Sequence, residues 1–303
     1  MSSQVLPYIL LLGLSWGTSI VATRFGVGQF DATVYAALRM LLASLAYAAV
    51  YVLSGRRRQF PRDPNLWRHA ALLGIVGTAI PMLSMISAIQ YQSATVTSIL
   101  LTLGPAITVF LAHYFLPDEQ LTLRKGAGAA IALGGALLLA VRGESGLADA
   151  GRTNLLGYGL VLLAMLSANS TSIYVRRWMR DLDPFDVASA RMFVATVVVA
   201  PLVGVLVGFD LDRVDTQGSI ALVYAALVGT FLAQGLSFYV VQRFGATTGA
   251  TALYVTPVTA GLGGVLLLGE QITTGMLVGM GLIAVGIAFI IREGAPGTIP
   301  ETV

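Results

Sequence analysis

The sequence contains an internal repeat with an offset of 152 residues. Residue types that are rare in hydrophobic surroundings coincide when the chain is compared with itself at this offset. The pairs include Arg24 with Arg176, Asp31 with Asp183, Arg39 with Arg191, Gly77 with Gly229, and Pro105 with Pro257. Such matches carry more information than matches among abundant aliphatic residues. The repeat predicts two related halves, residues 1–148 and 149–303, within one continuous domain.

The composition is that of a membrane protein. Of the 303 residues, 56% are hydrophobic and 11% are charged, whereas a soluble domain carries about 25% charged residues. The length accommodates about ten spans of roughly 20 residues each with short connections. The spans predicted from hydropathy are 5–26, 32–53, 69–91, 94–114, 122–142, 155–177, 184–208, 218–242, 247–268 and 273–292. The predicted fold class is therefore an all-α integral membrane protein with ten transmembrane helices.

Five helices in each half determine how the two halves are related. Because five is odd, the second half enters the membrane from the opposite side to the first. The sequence therefore predicts two inverted-topology repeats around a central cavity, related by a pseudo-twofold axis in the membrane plane. Halves of this kind are typical of secondary transporters, whose substrate site lies between the repeats.

The distribution of basic residues predicts the orientation in the membrane. Of the 18 Lys and Arg residues, twelve fall on the side that holds both termini and four on the other, while Arg39 and Arg191 lie within spans. Cytoplasmic loops carry an excess of Lys and Arg, so both termini are predicted to be cytoplasmic. The basic pI of about 9.3 reflects this orientation, and we expect no nucleic-acid partner.

Several classes of chemistry lack the residues they need. The chain has no cysteine, and its two histidines, His69 and His113, are too far apart in sequence for a zinc cluster. We therefore predict no metal site, no cofactor and no enzymatic activity. No Asp or Glu lies in the interior of a predicted span, so we expect facilitated transport, with His113 as the one candidate proton site.

The motifs resemble those of the drug/metabolite transporter superfamily, EamA type. The first helix reads LSWGTSIVATR from residue 14, and the second contains LRM from residue 38. Each half ends with a small-residue helix containing a proline, then Glu before Thr, then a glycine-rich helix. The resemblance implies transport of small organic solutes by ten helices in a bacterial-type inner membrane. Within the family, the chain is most similar to amino-acid exporters, including the aromatic branch.

The predicted cavity is lined by polar and aromatic residues of six helices. Trp16, Asn169, Gln234 and Tyr254 form an apolar slot with a few amide and hydroxyl groups, which suits an amino-acid side chain. The halves are not chemically equivalent, because Ala168-Asn169 replaces Trp16-Gly17. The candidate cavity residues are Trp16, Ser15, Thr18, Thr78, Met82, Leu101, Thr102, Pro105, Asn169, Ser170, Tyr174, Gln234, Tyr239 and Tyr254.

Two prolines inside spans are candidate hinges. Pro105 and Pro257 are related by the repeat, and each frees a backbone carbonyl one turn earlier in its helix. We predict paired kinks that act as gating hinges or contact substrate. The alternative is a static bend that packing accommodates.

The charges within and beside the spans are interpreted as structural. Arg39 and Arg191 follow Asp31 and Asp183 by eight residues, which favours repeat-related structural pairs over recognition of a carboxylate or phosphate. Glu119 and Glu270 precede Thr122 and Thr273, and both are predicted to cap the N-termini of the fifth and tenth helices.

The predicted function is export of amino acids, aromatic side chains and broad specificity included, by alternating access in the lipid bilayer. A carrier for nucleotide sugars, phosphorylated metabolites or drugs is the alternative within the superfamily. A channel is the alternative from another class, but no ring of charges or repeated filter loop is visible. The sequence leaves the oligomeric state open and is compatible with a monomer.

Overall fold

A computed structural model describes residues 5–55, 58–115, 121–147, 155–179, 182–244 and 252–293. Within these ranges the protein is helical and contains no strand. Eight helices are long and apolar enough to cross a membrane, and two shorter apolar helices follow them. The observed positions agree with the hydropathy of the sequence, except that the third helix begins at Pro64, five residues earlier than predicted.

We label the described helices in chain order. They are α1 (Leu6–Val27), α2 (Ala32–Ser54), α3 (Pro64–Ala88), α4 (Ala94–Phe115), α5 (Leu123–Arg142), α6 (Leu155–Trp178), α7 (Pro184–Leu206), α8 (216–244), α9 (Ala252–Leu268) and α10 (Thr274–Glu293).

Short polar side chains begin several of these helices. Asp31 accepts hydrogen bonds from the backbone N–H groups of α2, and Asp183 does the same for α7. Ser93, Thr122 and Asp215 cap α4, α5 and α8. Each cap satisfies donors that the first turn of a helix leaves unbonded. These caps explain why the helices begin where they do.

Three helices depart from regular α geometry. A π-helical segment interrupts α3 at Ile75–Ala79 and α8 at Ala225–Leu232. The two segments contain Thr78 and Thr230, which the 152-residue offset relates. A turn divides α4 into Ala94–Leu101 and Gly104–Phe115. Insertions of the π type frequently mark functional positions in membrane helices.

Helices α2 and α7 cross at the centre of the largest buried cluster, which includes Tyr35, Met40 and Met192. At their crossing the Ser44 hydroxyl lies 2.7 Å from the Thr196 hydroxyl. The Tyr51 hydroxyl lies 2.7 Å from that of Ser189. Residues later in α2 therefore contact residues earlier in α7, and the two helices run antiparallel.

Glycines allow close contact in two other helix pairs. In α5 and α10, Gly128 faces Gly286 and Gly135 faces Gly279, with no space between the backbones for a Cβ atom. In α1, Gly17 faces Thr259 of α9, where an added Cβ would lie 2.6 Å from the Thr259 Cβ. Small residues at these crossings let the helix backbones approach each other closely.

Candidate functional site

Trp16 lies partly buried where α1 meets the second half of the chain. It packs against a buried cluster that includes Leu12 of α1, Ala233 of α8 and Ala252 of α9. Gln234 directly follows Ala233 and is also partly buried. The structure therefore brings α1, α8 and α9 together at Trp16, one of the two aromatic residues of the predicted slot.

Asn169 joins α6 to α4. Its side-chain Oδ1 accepts a hydrogen bond of 2.8 Å from the Thr108 hydroxyl, and its Nδ2 donates to the Met165 carbonyl at 2.7 Å. The α-carbon of Gly104 faces this amide on one side and Leu253 of α9 on the other. An uncharged polar group thus lies at the junction of α4, α6 and α9.

Tyr254 of α9 presents a buried hydroxyl near this junction. Its ring packs against a cluster that includes Leu103 of α4 and Met165 of α6. Among the described residues, no group hydrogen-bonds to the Tyr254 hydroxyl. A buried hydroxyl without a partner is costly, and a bound polar solute would relieve that cost.

Several predicted cavity hydroxyls bond to their own helices. Ser15 donates to the Leu11 carbonyl, and Thr102 donates to the Ile99 carbonyl. Thr78 and Ser170 also bond to carbonyls one turn earlier, and Ser170 is exposed. Hydroxyls engaged in this way shape the helix more than they offer hydrogen bonds to a solute.

The remaining predicted residues are dispersed over the bundle. Met82 packs against the central α2–α7 cluster, and Leu101 packs against two buried clusters. The Tyr174 hydroxyl lies 2.8 Å from Nδ1 of His69 in α3. Tyr239 is exposed and packs against Tyr8 with tilted rings whose centroids are 5.5 Å apart. Leu101 shares one of its clusters with Tyr254, whereas the described contacts of Met82 and Tyr174 are with other groups.

Thr18 lines a crevice rather than the Asn169 junction. Its hydroxyl lies 2.7 Å from the Tyr224 hydroxyl of α8. The crevice has a volume of about 480 Å³ and is enclosed mainly by apolar side chains of α1, α8 and α9, including Phe25 and Leu267.

The two prolines behave differently. Pro105 follows the turn that divides α4, whereas Pro257 lies buried inside an uninterrupted α9. A kink was predicted at both prolines, but among the described residues only the helix of the first repeat, α4, is interrupted beside its proline. The two repeat-related helices α4 and α9 therefore differ at these positions.

Arg39 is buried among hydroxyl groups and does not pair with Asp31. Its guanidinium donates to Thr230 at 2.8 Å, to Thr23 at 2.8 Å and to Ser19 at 3.0 Å. Three helices, α1, α2 and α8, meet at this side chain, which is 5% exposed. The predicted pairing with Asp31 is wrong, because eight residues place Asp31 about two turns away, at the start of α2.

Both aspartates instead stabilise the starts of their own helices. Although desolvation opposes it, hydrogen bonds from Thr33 and Val34 hold the pKa of Asp31 below its usual value. Asp183 caps α7 and forms an ion pair of 3.2 Å with Arg58. Arg191, the repeat partner of Arg39, is partly buried in α7, close to α3 at Gly74.

Glu270 has a different partner from the predicted one. Its carboxylate accepts hydrogen bonds from the backbone of α4. The residue before α10, Thr273, caps that helix instead, because its hydroxyl accepts from the Met276 N–H group. The prediction that Glu270 caps α10 is therefore wrong. Glu119 lies outside the described residues, and His113 is an exposed residue whose Nδ1 accepts from the Leu121 N–H group.

Comparison with known proteins identifies the family. The model of the EamA-like transporter family matches residues 4–141 and again residues 155–292. The chain belongs to the EamA-like transporter family. It is a multi-pass membrane transporter, as the resemblance of the motifs indicated.

Relatives of this EamA-like transporter span nearly its whole length. An uncharacterized transporter of Archaeoglobus fulgidus is 24% identical over 92% of this chain and 95% of its own. A protein of Streptantibioticus cattleyicolor, named "Probable terminal-alkyne amino-acid exporter", is 26% identical over 96% of this chain and 94% of its own. A solved crystal structure with 20% identity covers 98% of this chain and 100% of its own with a TM-score of 0.68, and so shares the fold.

Sequence reasoning missed the partner of Glu270, a buried carboxylate of this EamA-like transporter. Glu270 was assigned to the adjacent helix because it precedes Thr273, yet its carboxylate contacts a helix 175 residues earlier in the chain. Proximity in sequence was the signal used, and it favoured the wrong partner. Among the described residues, no group of His, Asp and Glu side chains is arranged to hold a metal ion.

Proposed function

We propose that this EamA-like transporter exports amino acids, with aromatic side chains among those accepted, by alternating access. The observation that carries the proposal is the uncharged junction of α4, α6 and α9, where Asn169 bonds to Thr108 and the Tyr254 hydroxyl has no hydrogen-bond partner in the part of the chain that the structure describes. An apolar site with a few polar groups suits a solute with an apolar side chain and a small polar part.

The architecture that we propose consists of ten transmembrane helices in two inverted repeats, residues 1–148 and 149–303. The contact between Ser44 and Thr196 supports it, because these residues are separated by the repeat offset of 152. Two equivalent residues that contact each other lie on the axis that relates their repeats. Since α2 and α7 run antiparallel, that axis lies in the membrane plane.

The α5–α10 crossing supports the same symmetry. Aligning the two glycine-rich helices by an offset of 151 makes Gly128 equivalent to Gly279 and Gly135 equivalent to Gly286. The observed contacts are Gly128 with Gly286 and Gly135 with Gly279. Each of the two α5 glycines therefore contacts the repeat equivalent of the other, which is the reciprocal pattern of a twofold interface.

The name of one relative favours amino acids as the substrate class. The Streptantibioticus cattleyicolor protein is named for the export of an amino acid and aligns with 96% of this chain. The partly buried position of Trp16 against α8 and α9 adds an aromatic surface beside Ala233, the residue that precedes Gln234.

A carrier of phosphorylated metabolites is the second candidate. It would need cationic groups free to bind phosphate. Arg39 is 5% exposed, and its Nε and both terminal nitrogens already donate to hydroxyl groups. This arrangement favours a structural role for Arg39 and therefore favours amino acids over phosphorylated solutes.

We further propose that both termini are cytoplasmic in a bacterial-type inner membrane and that transport is facilitated. The orientation rests on the excess of Lys and Arg on the terminal side. The facilitated mechanism rests on the absence of Asp and Glu from the interior of the predicted spans. Loss of flux on collapse of the pH gradient would contradict it.

Uptake into proteoliposomes tests the substrate class. We expect saturable uptake of labelled Phe and Met, and weak uptake of Glu. Trp16→Ala should weaken the apparent affinity for Phe by about ten-fold, equivalent to ~1.4 kcal/mol, because an aromatic contact is lost. The measurement is initial rate against substrate concentration, with Thr and Lys in parallel.

Trp178→Ala is the matched control, because this tryptophan is 59% exposed at the end of α6. Its affinity for Phe should equal that of the wild type. Saturable uptake of a sugar phosphate without uptake of any amino acid would contradict the proposed substrate class. Uptake that does not saturate would indicate a channel.

A further inference from the structure

The start of α4 is buried in the bundle. Gln90 in the α3–α4 connection is exposed and Tyr91 is partly buried, but the residues next to them are each 1% exposed or less, namely Ile89, Gln92, Ser93 and Ala94. At the other end of the same helix Tyr114 is 79% exposed. A connection between two spans is ordinarily at the surface, so the burial of the residues that lead into α4 requires a cover.

Glu270, in the connection between α9 and α10, provides that cover. Its carboxylate accepts hydrogen bonds from the Ala94 N–H group at 2.6 Å, from the Thr95 N–H group at 3.0 Å and from the Thr95 hydroxyl at 2.7 Å. The side chain is 6% exposed. A carboxylate at a helix N-terminus is stabilised by unbonded N–H groups and by the helix dipole.

A recess in α9 accommodates the carboxylate. A Cβ atom on Gly264 would overlap the Glu270 Oε2 atom, so no other residue fits at position 264 without displacing Glu270. Arg24 of α1 is close enough to interact electrostatically with Glu270 and donates to the Ile89 carbonyl at 2.7 Å. The site therefore has a shaped wall, two N–H donors, a hydroxyl donor and a nearby cation.

The contacts at this end join the two halves of the chain. Glu270 belongs to the second half and binds α4 of the first. Thr273 of the second half donates to Glu144 of the first at 2.5 Å, and the Gln271 N–H group donates to the Gly146 carbonyl at 3.3 Å. Opening the bundle at this end would require all three connections to separate.

We propose that the start of α4 is the closed gate of the transporter and that Glu270 is the latch of this gate. The inference rests on the proposed alternating access, since a gate has a function only if the two ends open in turn. In the closed state Glu270 holds α4 against the α9–α10 connection. In the open state the carboxylate is hydrated at the membrane surface and the N-terminus of α4 is released.

The size of the effect follows from the bonds that would be lost. Glu270→Gln keeps the shape of the side chain but replaces one carboxylate oxygen by an NH₂ group, which cannot accept from Thr95. Hydrogen bonds to charged groups contribute about 1.5–3 kcal/mol, so the population of open gate should rise by roughly ten-fold to a hundred-fold. Gly264→Ala should act in the same direction by displacing the carboxylate from its recess.

Accessibility of an introduced thiol tests the latch. The chain contains no cysteine, so Ser98→Cys places a single thiol one turn into α4, at a side chain with 0% exposure. The protein is held in lipid nanodiscs without substrate, and the rate of reaction with a polar maleimide is measured. We expect Glu270→Gln and Gly264→Ala each to accelerate this reaction by about ten-fold or more.

Asp31→Asn is the matched control, because Asp31 also caps a helix by its carboxylate but binds only its own helix, α2. It should leave the reaction rate unchanged. A second reporter, Ala132→Cys, lies at 0% exposure in α5 beside α10 and should react slowly in every background.

Two results would overturn the latch. One is an unchanged rate at position 98 in both Glu270→Gln and Gly264→Ala. The other is equal acceleration at position 132, which would mean that the variants loosen the whole bundle. Because no substrate is present, this measurement stands or falls independently of the amino-acid specificity tested by uptake.

Discussion

Arg39 illustrates how a single residue can hold a charge inside an apolar bundle. Its three acceptors are neutral hydroxyls. Two of these hydroxyls also donate a hydrogen bond, Thr23 to the Ser19 carbonyl and Thr230 to the Ala225 carbonyl. The positive charge is thus distributed through hydroxyls to the carbonyls of α1 and α8. The hydroxyls of Thr23 and Thr230 thus accept one hydrogen bond and donate another, which a carbonyl oxygen could not do.

The stability of Arg39 variants should depend on the hydrogen-bond geometry of the new side chain more than on its charge. Arg39→Lys keeps the charge but can reach only one of three separated hydroxyls, and should lower the free energy of unfolding by about 3 kcal/mol. Arg39→Met removes the charge and leaves Thr23 and Thr230 bonded to carbonyls, so it should be less harmful. Thermal unfolding in detergent measures both, and a Lys variant as stable as the wild type would refute this account.

At the scale of helices, the α5–α10 pair depends on direct backbone contact. A Cβ on Gly128 would lie 2.5 Å from the Gly286 carbonyl oxygen, whereas a Cβ on Gly134 in the same helix would meet nothing within 4 Å. Small residues at such crossings allow the dispersion contacts that hold membrane helices together. The other faces of α5 and α10 are exposed, with Leu137 and Leu277 at 64% and 53%.

The two glycines of α5 provide a matched pair of substitutions. Gly128→Ala should destabilise the protein by about 1–3 kcal/mol, because a backbone oxygen cannot move aside as a side chain can. Gly134→Ala should be neutral or stabilising by up to ~1 kcal/mol, since alanine favours helix and nothing is displaced. Both are measured as midpoints of thermal unfolding in one detergent. Equal midpoints for the two variants would show that the crossing contributes little.

At the scale of the whole molecule, the contact between Ser44 and Thr196 has a special position. If the two repeats exchange conformations during transport, every contact between non-equivalent residues changes into its symmetry-related counterpart. A contact between a residue and its own repeat equivalent has no separate counterpart, so it persists in both states. Glu270 and Thr95 are not repeat equivalents, so their contact must break when the proposed gate opens.

Cross-linking distinguishes these two positions. Oxidation of Ser44→Cys with Thr196→Cys should form a disulfide, because the native hydroxyls are 2.7 Å apart, and uptake of Phe should continue. Bridging Thr95→Cys and Glu270→Cys with a short bis-methanethiosulfonate, which forms a disulfide with each thiol and releases methanesulfinate, should stop uptake. Reduction of the two disulfides should restore it. Arrest by the disulfide at positions 44 and 196 would place movement at the proposed axis and refute the symmetry argument.

The sequence was sufficient to predict the helical class, the family and most helix positions. Length and hydropathy determine a membrane span locally, because each stretch of about 20 apolar residues must satisfy its own backbone in lipid. The offset that pairs Arg39 with Arg191 predicted the repeat, which the family model matches twice. The cap at Asp31 is also local, because its donors lie two and three residues away, but the sequence analysis had paired Asp31 with Arg39 instead.

The tertiary structure alone decided the partners of those polar groups that bind a distant helix. Glu270 precedes Thr273 by three residues, yet its carboxylate lies against α4, because two halves of the chain fold onto each other at that end. The bond between Asn169 and Thr108, and the break before Pro105 without one before Pro257, likewise depend on packing between distant helices. Sequence spacing specifies which face of a helix a residue occupies, whereas the helix opposite that face is selected only when all the helices pack together.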